Sequence, residues 1–259
     1  MSDKVTLEIE DSVAVITNNN PDKLNAFDDE MDLLLFDILA DIRERRDVRA
    51  VIWRAEGGAW SSGRDVSVIG HNATELSHHE LMSRGHRGIL QVFDLDVPII
   101  AALHGWAIGG SFQRSLLCDV RIAAAGTRFK LPELSYGVIP DTGGISRLYQ
   151  ICGPGVTSDL ILTGRTMTAE EALTLGIVSR VVSGDELDDE AWSMARAVVA
   201  APAVTVKLAR KVLQHLSEAT VRASMDDELI YQTFINKSAD FAEFKLAREQ
   251  KRPPRYTGS

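Results

Sequence analysis

A glycine-punctuated stretch at residues 104–119, HGWAIGGSFQRSLLCD, constrains the fold more than any other part of the chain. Residues 97–103 before it form an apolar run with the length of a buried strand. After the glycine pair at 109–110, residues 111–118 can form a helix. A strand, a glycine turn and a helix start leave backbone N–H groups free at the positive end of a helix dipole, where anions bind. A tight turn without a ligand explains the same residues equally well.

Strands and helices alternate along the first 180 residues, with a recurring strand–strand–helix rhythm, so the sequence predicts an α/β fold. Predicted strands are 5–10, 13–17, 51–53, 97–103, 120–124, 128–131 and 177–182. Predicted helices in this part are 28–46, 80–93, 111–118, 145–152 and 168–175, and residues 67–79 are predicted to be irregular. Further helices are predicted at 185–200, 204–217, 219–235 and 238–250, so a helical region follows from about residue 200.

Charge and cysteine content narrow the class of protein. A net charge of −9 argues against nucleic acid or an anionic membrane as a partner. Cys118 and Cys152 lie among apolar neighbours, which predicts reduced, buried thiols and a cytoplasmic location. We expect no signal peptide, because the first residues, MSDK, lack an apolar segment. The polar stretch with His71, His78, His79 and His86 lacks metal-ligand spacing, so we expect surface histidines and no metal site.

Several stretches together resemble the crotonase superfamily, which comprises the enoyl-CoA hydratases and isomerases. They are NPDKLNA at 20–26, AWSSGRD at 59–65, the segments 105–119 and 131–144, and the region 163–178. The resemblance implies a crotonase-like spiral of ββα units over residues 1–199 and a C-terminal α-helical trimerisation region over 200–259. It also implies a homotrimer or a dimer of trimers, an acyl-CoA substrate, and no cofactor beyond the coenzyme A of that substrate.

An oxyanion hole follows from the chemistry of a thioester, whose α-carbon loses a proton when the carbonyl oxygen becomes an enolate. Two fixed N–H donors can stabilise that oxygen, and losing one costs about 10²–10³ in rate. The resemblance implies that the backbone N–H groups of Arg64 and Gly110 are these donors. Without the resemblance, the sequence favours the interpretation of Arg64 as a solvated arginine in a loop.

Binding of coenzyme A and of the acyl group is also carried over from the family. The residues implied are Lys23, Leu24, Ala26, Ser62, Gly63, Asp65, Trp106 and Gly109. Backbone groups of residues 62–65 would hold the adenine, and Lys23, Lys251 and Arg252 are candidates for the phosphates. Each of these three cations is otherwise a surface charge, and Trp106 could equally belong to the core.

Proton transfer needs carboxylates near the reacting carbons. Family hydratases use two glutamates, of which the second is present as Glu133. Gln113 stands at the position of the first, and an amide can orient water or a carbonyl but cannot accept a proton at neutral pH. Asp141 lies where some isomerase branches of the family carry their acid. Two such carboxyls close together would have separated pKa values and supply one acid and one base.

Alternatives remain for these residues and for the function. Asp141 could cap a helix, and Glu133 could be a solvated turn glutamate. The sequence predicts an enoyl-CoA hydratase/isomerase that works through Glu133 and Asp141. Other crotonase chemistry, such as thioester hydrolysis or C–C cleavage with a water held by Gln113, is an alternative, and so is a non-catalytic acyl-CoA-binding trimer.

Overall fold

Two β-sheets organise the chain in a computed structural model that describes residues 3–68 and 76–259. The strands are β1 (Val5–Glu10), β2 (Val13–Asn18), β3 (Ala50–Ala55), β4 (Ile99–Leu103), β5 (Trp106–Ile108), β6 (Val120–Ala124), β7 (Arg128–Lys130), β8 (Thr166–Thr168) and β9 (Arg180–Val182). One sheet has the order β1-β2-β3-β4-β6-β9 and is parallel except for the β1–β2 hairpin. The other has the order β5-β7-β8.

Eight α-helices accompany the sheets in the described part of the chain, and some of them pack on the two faces of the larger sheet. They are α1 (Asp29–Glu44), α2 (His78–Asp94), α3 (Gly109–Leu117), α4 (Gly144–Thr163), α5 (Ala169–Thr174), α6 (Leu187–Ala200), α7 (Ala203–Ile235) and α8 (Ala239–Glu249). The mixture of parallel strands and helices confirms the predicted α/β class.

The central strands β2, β3 and β4 of the larger sheet are largely buried, and their successive side chains point to opposite faces, each of which is covered. In β2, Val13 and Val15 pack with α6, whereas Ala14 and Ile16 pack on the opposite face with α1 and α2. The residues of β3 and β4 alternate in the same way. The carboxyl ends of the parallel strands are thereby held in fixed positions, and the site described below is built from the loops that follow them.

Several strands and helices agree with the predictions made from local sequence patterns. The β1–β2 hairpin is present, and Asp28 caps α1 by accepting a hydrogen bond from the Met31 N–H over 2.9 Å. Helix α2 begins two residues earlier than expected because Ser77 and Glu80 form a capping box. Within the stretch predicted to be irregular at 67–79, residues 69–75 lie outside the described residues.

Other boundaries were wrong. The break predicted near residue 218 does not exist, since α7 runs without interruption and contains neither glycine nor proline. The helix predicted at 145–152 breaks at Gly153 (φ 74°) but resumes at Pro154, because proline is well suited to a first helical turn. The strand predicted from Ile177 begins only at Arg180, because the N–H groups of Ile177 and Val178 bond to the Ala172 carbonyl.

The C-terminal helices pack on the core through α7. Val221 and Met225 of α7 belong to the same buried cluster as α1 and α2. The predicted division at 199/200 falls at the last residue of α6, just before α7, and stays a prediction. Cys118 is buried, Cys152 is half-buried, and both are free thiols. Of the helices that the structure describes, none is both long and apolar enough to cross a bilayer.

Candidate active site

A cavity of about 910 Å³ collects nearly all of the predicted site residues. Its walls come from the loops around residues 23–27 and 62–68, from the first turns of α1, from α2, the start of α3, the loop 132–142 and the C-terminal helices. The predicted residues that line it are Lys23, Ala26, Ser62, Gly63, Arg64, Asp65, Trp106, Gly109, Gly110, Glu133 and Asp141. Leu24 and Gln113 are outside the lining.

The loop at 61–65 is fixed by two isolated parallel bridges. Ser61 pairs with Ala107 of β5, and Arg64 pairs with Phe27. In the second bridge the Phe27 N–H donates to the Gly63 carbonyl and the Asp65 N–H donates to the Phe27 carbonyl, each over 2.8 Å. These bonds use the groups on either side of Arg64, so the N–H of Arg64 itself points away from Phe27.

The second glycine segment turns directly from β5 into α3. Gly109 has φ 56°, a conformation that favours glycine, and a Cβ there would lie 3.2 Å from the Glu133 Oε1. Ile108 caps α3 without a side-chain hydrogen bond, so the N–H of Gly110 in the first turn has no helical partner. The hydroxyls of Ser61 and Ser111 lie 2.6 Å apart and join this segment to the loop at 61–65.

Glu133 is buried where the chain leaves the strand β7. Its Oε1 accepts a hydrogen bond from Gln113 Nε2 over 2.7 Å, while its Oε2 has no protein partner within the described residues. Burial raises the pKa of Glu133 to about 7, and the neighbouring Asp141 acts in the same direction. The alternative of a solvated turn glutamate is therefore wrong, since the side chain is buried.

Asp141 lies on a loop that three side chains hold by its backbone. The Ile139 N–H donates to Gln232 over 3.1 Å, the Thr142 N–H to Gln113 over 2.9 Å and the Gly143 N–H to Glu228 over 2.8 Å. Burial raises the pKa of Asp141 to about 7, although the guanidinium groups of Arg64 and Arg114 oppose the shift. Asp141 does not cap a helix, because the N-cap of α4 is Gly143.

Gln113 stands behind Glu133 and does not face the cavity. Both ends of its amide are used, the nitrogen by Glu133 and the oxygen by the Thr142 N–H. Its Cβ and Cγ leave no room for a side chain at Gly144, where a Cβ would lie 2.5 Å from them. The amide of Gln113 therefore links Glu133 to the loop that carries Asp141.

Some of the residues implied for coenzyme A line the cavity, and others do not. Lys23 is 58% exposed and pairs with Asp65 over 2.9 Å. Hydrogen bonds from Ser67 and Lys23 lower the pKa of Asp65 to about 2. Leu24 is outside the lining, and its carbonyl accepts a hydrogen bond from the Ser62 N–H over 2.9 Å. Arg252 forms a bidentate pair with Glu243 and, like Lys251, does not line the cavity.

Sequence reasoning missed charged residues that touch or support this site, namely Asp32, Arg114 and Glu228. Glu228 is buried, and burial raises its pKa to about 7. A signal existed for it, since Val221, Met225, Glu228 and Gln232 follow helical spacing and two polar residues continue an apolar stripe. Nothing comparable in the sequence marks Asp32 or Arg114, which come together only through tertiary structure.

The histidines differ from expectation in one case. His86 is buried with 7% exposure and lines the cavity, so the prediction of a surface histidine is wrong for it. His79 is exposed, His78 is half-buried, and His71 lies outside the described residues. Across residues 3–68 and 76–259, no group of three or more metal-ligating side chains is arranged around a common point.

Comparisons with known proteins agree with this geometry. The sequence model of the family described as enoyl-CoA hydratase/isomerase matches residues 8–259. Two relatives called carnitinyl-CoA dehydratase, from Salmonella arizonae and Escherichia coli K12, are each 33% identical over 263 aligned positions that cover both chains completely.

Solved structures give the same result. An enoyl-CoA hydratase/isomerase from Pseudoalteromonas atlantica T6c superimposes with a TM-score of 0.89 at 27% identity and covers 98% of this chain and 100% of that one. Another from Xanthobacter autotrophicus Py2 has a TM-score of 0.85 at 30% identity and covers 95% of this chain and 93% of that one.

Proposed function

The chain belongs to the enoyl-CoA hydratase/isomerase family, and from that premise we propose that it moves protons on an unsaturated acyl-CoA thioester. The observation that carries the proposal is the presence of two carboxyls, Glu133 and Asp141, in the lining of one cavity, each with a pKa raised to about 7. A carboxyl that titrates near neutral pH can both accept and donate a proton during turnover.

The backbone N–H groups of Arg64 and Gly110 are the proposed oxyanion donors. Arg64 and Gly110 line the same cavity, the N–H of Arg64 points away from Phe27, and Gly110 sits in a first helical turn. In a site shielded from water, two such donors stabilise the enolate oxygen of a thioester without reorganisation during the reaction. The coenzyme A portion then runs along Ala26, residues 62–65 and Lys23.

Double-bond migration is the reaction that this arrangement supports best. One carboxylate of the pair removes a proton from the α-carbon of a 3-enoyl thioester, and the electrons move to the carbonyl oxygen to form a dienolate. The other carboxyl, protonated, gives its proton to the γ-carbon, and the 2-enoyl thioester results. The pair still holds one proton, now on the opposite member, and exchange with solvent restores the starting state.

Dehydration of a 3-hydroxyacyl thioester, and its reverse, is the second candidate. It is favoured by the relatives called carnitinyl-CoA dehydratase, which align with this chain from end to end. Loss of the α-proton would be followed by departure of the β-hydroxyl as water, protonated by the second carboxyl. Gln113 argues against the two-glutamate form of this reaction, because its amide is already bonded to Glu133 and Thr142.

A homotrimer, alone or paired into a hexamer, is the proposed assembly. Helix α7 exposes an apolar stripe at helical spacing, formed by Val204, Leu208, Val212 and Leu216. Exposed apolar patches of this kind mark contacts with another protein surface. We place the enzyme in the cytoplasm because its two cysteines are free thiols.

The deciding experiment incubates the protein with crotonyl-CoA and with trans-3-hexenoyl-CoA in D₂O and follows both by mass spectrometry. Migration of the double bond in the second substrate, with deuterium incorporated and no water added, is the expected result. Addition of water to crotonyl-CoA would favour the hydratase/dehydratase candidate. Release of free coenzyme A would indicate thioester hydrolysis, and tight binding without any change would indicate a binding protein.

A further inference from the structure

Asp32 of α1 contacts two arginines at once. Its Oδ2 lies 2.9 Å from Arg64 Nη1, and its Oδ1 lies 2.6 Å from Arg114 Nη2. The carboxylate is shielded from solvent, with its side chain 16% exposed. A single carboxylate on α1 therefore bridges two segments that are far apart in sequence.

Those two segments carry the two proposed oxyanion donors. Arg64 is itself one donor, through its backbone N–H. Arg114 follows Gly110 by four residues in α3, so its side chain projects from the turn next to the second donor. Asp32 thus ties the side chain of one donor residue to the helix of the other.

The guanidinium of Arg114 depends on Asp32 for its ion pair. Its guanidinium lies 4.3 Å from the centre of the Phe27 ring, and its Nε and Nη1 have no hydrogen-bond partner within the described residues. Among the carboxylates that the structure describes, Asp32 is its ion-pair partner. Because both groups are largely buried, solvent screens their attraction little. Arg64 has a second carboxylate, Asp29, which holds its other nitrogen.

The other described hydrogen bonds between the two segments are made by Ser61 rather than by Arg64. The backbone bridge joins Ser61 to Ala107, and the hydroxyl contact joins Ser61 to Ser111. Neither reaches Arg64, which the Phe27 bridge fixes from the opposite side. Among the hydrogen bonds and ion pairs of the described residues, the bridge through Asp32 connects Arg64 itself to α3.

We propose that Asp32 is a positioning residue that holds the N–H groups of Arg64 and Gly110 at the spacing an enolate oxygen requires. The inference rests on the proposed function, because it takes these two groups as the oxyanion donors. Misplacement of a catalytic group by about 1 Å can cost about 10²-fold in rate, so a loosened bridge lowers kcat even though no donor is removed.

Asp32→Asn tests the proposal, since it replaces one of the two acceptor oxygens with an NH₂ donor and removes the negative charge that both arginines contact. We expect kcat with the active substrate to fall about 10- to 100-fold while KM changes less than about threefold. The matched control is Asp41→Asn, also on α1, whose carboxylate is 53% exposed and faces Arg45 over 3.6 Å. It should leave both constants unchanged.

Enolate formation provides a readout that general destabilisation would not produce. Bound acetoacetyl-CoA reports its enolate fraction by ultraviolet absorbance, whereas saturated butyryl-CoA reports ground-state binding alone. In Asp32→Asn the enolate fraction should fall, and the affinity for butyryl-CoA should stay within about threefold of the wild type.

Arg64→Gln keeps the backbone donor and leaves the Asp32–Arg114 pair intact, so it tests the bridge even if Asp32→Asn fails to fold. It should reproduce the loss of kcat and of enolate, and the double variant with Asp32→Asn should be no worse than the more affected single variant. Full kcat and an unchanged enolate fraction in Arg64→Gln would overturn the proposal. A wild type that neither turns over nor forms the enolate would overturn the proposed function and this inference with it.

Discussion

Gln113 donates a hydrogen bond from Nε2 to Glu133 Oε1 over 2.7 Å, and through its Oε1 it also holds the loop that carries Asp141. The bond favours the ionised form of Glu133 and opposes the effect of burial on its pKa. The residue that departs from the two-glutamate pattern is therefore structurally tied to both acids rather than free to hold a water in the cavity.

Gln113→Glu should add hydration of crotonyl-CoA to the activity. The new carboxyl keeps an acceptor for the Thr142 N–H but replaces the donor to Glu133 with an acid, so the two carboxyls share a proton. Because position 113 does not line the cavity, the new carboxyl acts on the substrate through Glu133. We expect the initial rate of water addition to rise about 10²-fold, the lower end of what general acid–base catalysis contributes. Gln113→Leu, which removes both bonds, is the control and should lower every activity. No gain in hydration would mean that the site differs from a hydratase in more than this residue.

Glu133→Gln and Asp141→Asn should each lower kcat by about 10²–10⁴, because each removes a proton carrier while keeping the shape of the side chain. Affinity for a saturated acyl-CoA, measured by calorimetry, should stay nearly intact. Glu44→Gln changes an exposed carboxylate at the end of α1 and serves as the control. Full activity in either variant would remove that residue from the mechanism.

Sequence reasoning reached those parts of the fold whose signals are local. The helical spacing of Met31, Leu35 and Ile42, with a capping aspartate at either 28 or 29, predicts α1 to within two residues at each end, because helix spacing and capping act over a few residues. The three-residue strands β5 and β8 went unpredicted, since pairing with β7 rather than propensity defines them.

In the candidate site, too, some residues could be predicted from the sequence and others could not. Resemblance placed Arg64, Gly110, Glu133 and Asp141, and all four line one cavity. The partners that set their charge and position could not be predicted, because Asp32 meets Arg114 across 82 positions of sequence. Side-chain contacts of this kind depend on how α1 and α3 pack, which no local pattern encodes.

Glu228→Gln should change how stability depends on pH. Burial raises the pKa of Glu228 from 4.5 to about 7, so the native state binds this proton more tightly than the unfolded state. Its contribution to the free energy of unfolding is full below pH 4.5 and is lost as the pH rises toward 7. Glutamine can still accept from the Gly143 N–H but does not titrate.

Relative to the wild type, the variant should therefore gain stability across that window, by at most about 1.4 kcal/mol per pH unit. Urea unfolding at several pH values measures the free energy of unfolding of both proteins. Groups present in both, such as His86, contribute equally and cancel in the difference. A constant difference between the two proteins from pH 4.5 to about 7 would contradict the raised pKa.

Leu208→Glu should reduce the size of the assembly. Leu208 is 56% exposed in the middle of the apolar stripe on α7, and Leu216, two turns later, is 78% exposed. A carboxylate buried at a contact between copies would lack a partner and cost more than the leucine contributed. We expect light scattering after gel filtration to give a trimer or hexamer for the wild type and a smaller species for the variant. Leu173→Glu, at an exposed leucine of α5 outside the stripe, should keep the wild-type mass. A monomeric wild type, or an unchanged mass for Leu208→Glu, would show that this stripe does not join copies of the chain.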